Sequence, residues 1–316
     1  MKNTVYFRFM YQNEKQGIAH TAHITKDDGN ESYLMTYFCG CGDGQTVHLN
    51  EGTDERFDLC GETIDLMVVD GLGTEAASRV CKLLEKNQVK EILLPERDQA
   101  LTWLKEGMAE KVTILSEGQT FHLEKAGWET WAHCYGDEEG NSLAVYHGPA
   151  AVDPKKTDCL LSVKPFGKEL PCGPCVKEGN HACAMRCSLY NDFDLCKKHN
   201  DRDSEKYVAG TLLLGNVQLQ KYASSLGKEL AANENAAGKI RFVTLPAGGN
   251  QDYWSLEAIS MADPAEEPFN RYFIAPEAAA NAEVCKELMA SGLRHKVLLC
   301  TEKYGVCAGG FFTDRE

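Results

Sequence analysis

The strongest chemical signal in the sequence is a cluster of cysteines in a segment with few aliphatic residues. Two close cysteines can hold one side of a tetrahedral zinc ion, and a second pair can complete its four ligands. Because the segment has little with which to build an apolar core, a bound metal could supply its folding free energy. We therefore predict a structural zinc site drawn from Cys172, Cys175, Cys183, Cys187, Cys196 and His199.

Other chemistries are open to the same cluster. With His181 inside it, the segment offers more thiols and imidazoles than one tetrahedral shell can use, so either some are spectators or two ions bind. An iron–sulfur cluster also takes four thiolates, but the spacing does not match its familiar runs. Disulfides, redox thiols and unliganded cysteines in an ordered loop are the remaining readings, with disulfides disfavoured in a reducing compartment.

A second group of polar residues follows a predicted strand over Ile64–Val69. Together with Cys307, Asp70 and Glu75 could form another kind of metal site, since acidic oxygens suit Mg²⁺ or Mn²⁺. However, Asp70 precedes Gly71, as in an ordinary polar turn, and a glutamate at the start of a helix is favoured by the helix dipole alone. We prefer the interpretation of a polar loop without metal.

Two further pairs of residues have structural explanations. Trp128 and Trp131 could stack on a ligand, but packing against the core or a sheet face is the preferred interpretation. His133 and Cys134 are sequence neighbours and would point apart on a strand, so they do not form an activated thiol. Neither pair predicts a catalytic site.

Composition narrows the class of protein. The chain has 316 residues, a formal net charge of −14 and 14 cysteines. Such an acidic protein is poorly suited to neutralising phosphates, so the composition disfavours nucleic acid as a partner. No apolar run is long enough to cross a membrane and the first residues do not have the pattern of a secretory signal, so we predict a cytoplasmic protein that does not bind membranes.

Hydrophobic patterning predicts alternating strands and helices after a β-rich start. Helices are expected over Thr74–Asn87, Asp98–Lys105, Val217–Leu230 and Glu277–Ser291. Strands are expected over Val5–Phe9, Ala19–Thr25, Tyr33–Phe38, Ile64–Val69, Val89–Leu94, Val112–Leu115, Ser142–Tyr146, Cys159–Val163, Thr211–Leu214, Ile240–Leu245, Tyr272–Ala275 and Lys296–Leu299.

The cysteine-rich segment interrupts this pattern. We interpret residues 164–206 as an insertion, and residues 1–163 and 207–316 as the two halves of one α/β domain. No linker rich in proline, glycine and serine separates the halves, so one domain is preferred to two.

An ordered series of short motifs resembles the metallo-β-lactamase superfamily, and within it the soluble domain of competence-type DNA-uptake proteins. The segments that carry the resemblance are Ile64–Val69, Val89–Pro95, Gly140–Val145, Thr211–Asn216, Leu245–Asn250 and Tyr304–Cys307. The resemblance implies an αββα sandwich interrupted by the cysteine-rich insertion. In that fold the loops at one end of the sandwich form the metal site.

The positions that resemble the metal motifs lack the histidines and the bridging aspartate that the resembled zinc site needs. The loop after Val69 contains no histidine, Asn216 replaces a bridging aspartate, and Ala247 and Gly248 replace a histidine pair. Cys307 replaces the last histidine. Alanine and glycine side chains cannot donate to zinc, so we predict a degenerate cleft without a binuclear centre, formed by Asp70, Glu75, Asn216, Gly248, Asn250 and Cys307.

Three functions follow from this reading. The preferred one is a non-catalytic protein, a pseudoenzyme, that acts as a binding, scaffold or sensor component for a protein partner and carries structural zinc. The alternative is a metal-dependent hydrolase that has rebuilt its centre from Asp70, Glu75, Asp252 or thiols. The third is a thiol-based redox or zinc-sensing module.

Overall fold

A computed structural model describes residues 2–12, 17–26, 31–39, 62–71, 80–81, 83–97, 104–136, 140–150, 157–167, 210–233, 236, 240–249, 252–262, 272–276, 297–300 and 304–314. The strands in these ranges are β1 (Lys2–Gln12), β2 (Gly17–Lys26), β3 (Ser32–Cys39), β4 (Thr63–Asp70), β5 (Gln88–Pro95), β6 (Lys111–Leu115), β7 (Thr120–Lys125), β8 (Trp128–Tyr135), β9 (Ser142–Pro149), β10 (Thr157–Gly167), β11 (Gly210–Leu214), β12 (Ile240–Thr244), β13 (Tyr272–Pro276), β14 (Val297–Cys300) and β15 (Tyr304–Asp314).

The strands form two mixed sheets with a similar plan. The first sheet has the order β10-β15-β1-β2-β3-β4-β5-β6, antiparallel as far as β3 and parallel from β3 to β6. The second has the order β14-β13-β12-β11-β9-β8-β7, parallel from β14 to β11 and antiparallel beyond. Each sheet therefore contains four neighbouring parallel strands whose carboxyl ends share one edge.

The two sheets pack face to face over a shared core. Tyr33, Leu66 and Leu93 of the first sheet belong to the same buried cluster as Trp128 and Val145 of the second. Strands β4 and β9 are buried along almost their whole length, and for this reason they read as continuous apolar runs rather than alternating ones.

Helices cover the outer faces of both sheets. Helices α1 (Leu219–Ala232) and α2 (Leu256–Ala262) pack on the second sheet, where Leu226 and Trp254 are fully buried. On the first sheet, the described helical residues of 80–86 contribute Val80 and Leu84 to a third cluster. The chain is thus a mixed α/β protein with apolar layers on both sides of each sheet.

The prediction of an α/β protein is confirmed, and the predicted strands coincide with described ones. The sequence reading did not identify β7, β8 or β15. Glycines at 305, 309 and 310 give β15 low strand propensity, so its pairing with β1 and β10 is what extends it. Of the predicted helix Asp98–Lys105, only residues 104 and 105 are described and neither is helical; the helix Glu277–Ser291 lies outside the described residues.

Most of the predicted insertion also lies outside the described residues. Its first four positions, 164–167, continue strand β10 and pair with β15, so the sheet extends past the boundary that composition indicated. Among the described helices, none is both long and apolar enough to cross a membrane.

Candidate functional site

The candidate site lies where parallel strands of the two sheets end. Asp70 is the last residue of β4 and is fully buried, and Gly71 follows it with φ +66°. Asn216 follows β11, and the 3₁₀ helix Pro246–Gly249 follows β12. Polar groups that are distant in sequence therefore meet at this end of the sandwich.

Asp70 is held by donors from the second sheet. The hydroxyl of Ser142 donates to Asp70 Oδ2 over 2.7 Å, and the backbone N–H of Leu143 donates to the same oxygen over 3.2 Å. The backbone N–H of Asn216 in turn donates to Ser142 Oγ over 2.9 Å. This chain of bonds joins β4, β9 and Asn216, two residues after β11. Oδ2 of Asp70 therefore has a structural role.

Gly215 is the residue that allows this close approach. A Cβ on Gly215 would overlap Asp70 Oδ2 and would lie 2.6 Å from Tyr37 Oη. Its carbonyl oxygen also accepts a hydrogen bond of 2.8 Å from the N–H of Ala247, which has a φ of +47°. The turn after β12 is thereby tied to the end of β11.

Arg97 supplies the positive charge at the site. It follows β5 by two residues, is half-buried, and its Nε donates to the carbonyl oxygen of Asn141. A Cβ on Gly71 would lie 3.1 Å from Arg97 Nη1 and 3.1 Å from Asn216 Nδ2. The guanidinium and the amide thus both lie over the bare backbone of Gly71.

The electrostatic state of Asp70 follows from its burial. Removal from water raises its pKa, although the charge of Arg97 and the hydrogen bonds from Ser142 and Leu143 act in the opposite direction. Among the described residues, Asp70 Oδ1 accepts no hydrogen bond. Burial of Oδ1 is therefore not offset by a hydrogen bond among the described residues, whereas Oδ2 accepts two.

A second buried aspartate on β4, Asp65, has a pKa shifted in the opposite direction. Asp65 Oδ1 lies 2.9 Å from Lys90 Nζ and 2.5 Å from Lys125 Nζ, and Oδ2 accepts the N–H of Leu34 over 3.0 Å. Burial acts to raise the pKa of Asp65, but the two lysines outweigh it and the pKa is lowered. Asp65 thus forms structural ion pairs with two lysines, whereas Asp70, at the end of β4, is fully buried without such a pair among the described residues.

The structure places some of the predicted cleft residues together. Asp70 and Asn216 meet through Ser142, and Gly248 belongs to the 3₁₀ helix whose Ala247 bonds to Gly215. The remaining predicted positions that lie outside the described residues are Glu75, Asn250, Cys172, Cys175, Cys183, Cys187, Cys196 and His199.

Cys307 is not brought to this site. It lies within β15, where its backbone pairs with Arg8 of β1 and Lys164 of β10. In the first sheet β15 and β4 are separated by four strand spacings of about 4.8 Å, or about 19 Å. The resemblance aligned the motif in sequence, but the antiparallel pairing of β15 sets its position across the sheet.

The zinc pair implied by the metallo-β-lactamase resemblance does not fit the residues present. Asp70 is the one carboxylate in the described part of the site; Asn216 points an amide nitrogen toward Gly71, and Ala247 has no donor atom. The guanidinium of Arg97 would also repel a cation there. Within the described ranges, no three His, Cys, Asp or Glu side chains are grouped closely enough to hold a metal ion.

Burial raises the pKa of two described thiols, Cys134 and Cys81. Burial, and after it the charge of Asp70, raises the pKa of Cys134 to about 12, and its Sγ donates to the carbonyl of Leu115 over 3.2 Å. Burial also raises the pKa of Cys81. Since the thiolate is the reactive form, neither residue has the character of a redox-active cysteine.

The interpretation of Trp128, Trp131 and His133 as structural residues agrees with their positions on β8. Trp128 is buried between the sheets, whereas Trp131 packs against the outer cluster that contains α1. His133 faces outward as well, with Nδ1 3.0 Å from the carboxylate of Glu229, whereas Cys134 lies in the inner core. The two tryptophans lie on opposite faces and cannot stack on one ligand.

Sequence reasoning missed Arg97 and Ser142 as members of the site. Arg97 follows the predicted strand Val89–Leu94, at the carboxyl end of a parallel strand, where binding residues concentrate in α/β proteins. This position at a strand end is the sequence feature by which Arg97 could have been predicted as a site residue. Ser142 lies in Gly140–Val145, a segment that carries the resemblance, but its hydrogen bond to Asp70 depends on the packing of β9 against β4.

Comparisons with known proteins do not assign this chain to a family. No family model and no curated protein matches the chain. Among solved structures, the apo state of the chemotaxis sensor ODP from T. denticola is similar at 9% identity and a TM-score of 0.27, over 44% of this chain and 57% of that one. The metal-soaked Flv1 flavodiiron core from Synechocystis sp. PCC6803 is similar at 10% identity and a TM-score of 0.28, over 94% and 89%. This chain thus spans little more than half of the sensor's length, and at these TM-scores neither likeness supports an assignment of fold or function.

Proposed function

We propose that this protein is a non-catalytic member of the metallo-β-lactamase-like αββα sandwiches, and that it acts as a binding, scaffold or sensor component. The observation that carries the proposal is the position of Arg97 beside Asp70 and Asn216. A fixed guanidinium charge occupies the strand-end region that would hold zinc in the resembled fold. A site with this charge cannot polarise water as a metal does.

The plan of the two sheets supports the sandwich assignment. The sheets share a core, helices lie on both outer faces, and each sheet has a parallel group of strands. The segments ending in Asp70 and Asn216 and the turn Pro246–Gly249, which resemble metal motifs in sequence, meet at one end of the sandwich. Three matching motifs at one place favour the resemblance more than any one of them alone.

We further propose that the cysteine-rich insertion binds structural zinc and that the partner is a protein in the cytoplasm. The zinc proposal depends on the spacing of the thiols, and the partner proposal on the acidic net charge of −14, which disfavours nucleic acid. Both remain predictions from the sequence.

Elemental analysis combined with activity assays tests the proposed function. We expect the protein, purified without added metal, to lack hydrolysis of β-lactam and phosphodiester substrates with or without Zn²⁺, Mg²⁺ or Mn²⁺. Metal-dependent hydrolysis that disappears in Asp70→Asn, which keeps an acceptor for Ser142 and Leu143, but survives in Lys111→Gln would establish the alternative, a rebuilt hydrolase. Lys111 serves as a control because its side chain is exposed and its partner is Glu91, not Asp70.

The same analysis tests the zinc site. We expect zinc to be bound at about one ion per chain by the wild-type protein and lost in Cys172→Ser/Cys175→Ser, because four-coordinate sites fail when two ligands are removed. Cys81→Ser is the matched control, since Cys81 lies on the helix over the first sheet. Zinc that persists in the double variant and disappears in the control would contradict the proposal.

A further inference from the structure

One edge of the second sheet is formed by β7, the last strand in that sheet among the described ones. Thr120, His122 and Glu124 of this strand are exposed, and the side chain of His122 keeps 54% of its accessible surface. An exposed edge strand presents unpaired N–H and C=O groups that can pair with another strand. The edge of β7 is therefore a candidate interaction surface.

The turn after β7 determines how this strand bonds to β8. Ala126 and Gly127 have φ values of +56° and +71°, as in a two-residue hairpin turn of type I′. The residues that flank such a turn, here Lys125 and Trp128, form a hydrogen-bonded pair. Hydrogen-bonded and non-hydrogen-bonded pairs then alternate along the hairpin.

This alternation directs every second residue of β7 away from β8. The odd-numbered residues bond to β8, and the bond from the N–H of Cys134 to the carbonyl oxygen of Gln119, over 3.0 Å, continues the same series. The N–H and C=O groups of Thr120, His122 and Glu124 consequently point to the open edge. These are the groups that a further strand would use.

The charge of Glu124 has no counterpart in its own chain. In the pairing of β7 with β8 it lies directly opposite Glu129, and like charges in that position are destabilising. Glu129 is buried and has its own partners, since Asn233 Nδ2 lies 2.7 Å from its Oε1 and His122 Nε2 lies 3.3 Å from its Oε2. Within the parts of the chain that the structure describes, the Glu124 carboxylate makes neither an ion pair nor a hydrogen bond.

A second copy of the chain can supply the missing cation. When two β7 strands pair antiparallel about a two-fold axis at Leu123, His122 of each copy lies opposite Glu124 of the other. Both residues have outward backbone groups, so each pair also exchanges its N–H···O bonds. The neighbouring register, centred on His122, would set the two imidazoles opposite each other. Charge complementarity therefore favours the register centred on Leu123.

The inner face of β7 suits the same register. Phe121 and Leu123 pack against the shared core but are only partly buried. In the pair of copies, Leu123 would meet itself at the axis, and Phe121 would meet the aliphatic stem of Lys125, whose Nζ stays with Asp65. Ile114, an exposed apolar residue of β6, lies on the same side, because residues 116–119 join β6 directly to β7. Pairing through this edge therefore covers apolar surface as well as backbone groups.

We infer that β7 is the interface of a homodimer, in which two copies pair antiparallel at this edge and join their second sheets into one. Each imidazole of His122 lies between Glu129 of its own chain and Glu124 of the other, and its protonated form can donate to both. One six-residue strand is a small interface, so we expect a weak dimer that forms at high protein concentration. The inference does not depend on the proposed function, because no residue of the candidate site takes part.

Sedimentation velocity of the full chain, at protein concentrations from about 1 to about 500 μM, tests the inference. We expect the mass of one chain at the low end of this range and an approach to the mass of two chains at the high end. Glu124→Pro should raise the Kd of the dimer about tenfold or more, because proline offers no N–H at the edge and the bonds to β8 do not use that group. Glu124→Gln keeps the N–H and loses the charge, so it should raise the Kd by a smaller factor.

Controls separate loss of the interface from loss of the fold. Glu257→Gln removes an equal charge from α2 and should dimerise as the wild type does. Near-ultraviolet circular dichroism, which reports the surroundings of the buried Trp128 and Trp254, shows whether each variant keeps its core. A monomer at every concentration, even one whose β7 pairs with a strand of another protein, would overturn the inference. So would a folded Glu124→Pro variant that dimerises as the wild type does.

Cross-linking tests the register without a proline in the strand. Leu123→Cys places two thiols opposite each other at the axis, at a separation that a disulfide can span. Mild oxidation at high protein concentration should therefore give a self-linked peptide that contains position 123, which mass spectrometry distinguishes from links between the native cysteines. The same treatment of His122→Cys should give little. A self-linked peptide from His122→Cys and none from Leu123→Cys would overturn the inference, because the opposite charges would then not be paired.

Discussion

Replacement of Asp70 separates the role of its charge from the role of its hydrogen bonds. Asp70→Ala leaves the Ser142 hydroxyl and the Leu143 N–H without their acceptor at a fully buried position. Each such orphaned donor costs about 1–3 kcal/mol, and the space left by the carboxyl group adds to the loss. We expect a decrease of about 3–5 kcal/mol in the free energy of unfolding, measured by urea denaturation at pH 7.

Asp70→Asn should behave differently. The amide keeps an acceptor oxygen for Ser142 and Leu143 and removes a charge that is buried and incompletely compensated. We therefore expect a change within about 1 kcal/mol of the wild type at pH 7, in either direction, because the lost attraction to Arg97 offsets the relieved desolvation. An Asn variant as unstable as the Ala variant would refute the reasoning, since the charge and not the acceptor would then be decisive.

The pKa of Asp70 also predicts the direction in which the free energy of unfolding changes with pH. Because burial raises the pKa of Asp70 above its ordinary value of 3.8, the folded state retains the proton longer than the unfolded state. The stability linked to this proton is complete below pH 3.8 and is lost as the pH rises through the folded-state pKa. The Asn variant does not titrate, so its stability should gain on that of the wild type over this window.

Two further predictions concern the core around the site. Gly215→Ala should lower the free energy of unfolding in urea by about 3 kcal/mol or more, because its Cβ would overlap Asp70 and approach Tyr37. Gly118→Ala is the control: nothing lies within 4 Å of its Cβ, so it should lose only roughly 1 kcal/mol through its left-handed φ. Equal losses in the two variants would contradict the packing argument. Burial and the neighbouring His20 hold the pKa of His147 well below 6.5, so stability is complete above pH 6.5 and is lost as the pH falls below it. Between pH 7 and pH 5 the wild type should lose about 2 kcal/mol more than His147→Gln; parallel unfolding curves for the two proteins would count against this.

The sequence alone determined the type of most elements near the site. The apolar run before Asp70 and the run before Asn216 could be assigned as strands because buried strands need such runs whatever they pair with. The absence of histidines at the strand ends could also be read directly. Asp70 and Asn216, which the sequence analysis named as residues of one cleft, are connected through Ser142.

Tertiary structure decided which other groups complete the site. Arg97 and Asn141 are 44 positions apart in sequence and Asp70 and Ser142 are 72 apart, so no local pattern could pair them. Cys307, placed at the site by sequence resemblance, lies across the first sheet because the strand register fixes it there. Local sequence patterns indicate whether a residue is buried and whether its backbone is in a strand or a helix. The hydrogen-bond partner of a polar side chain depends instead on how the two sheets pack, and this packing depends on the whole apolar core.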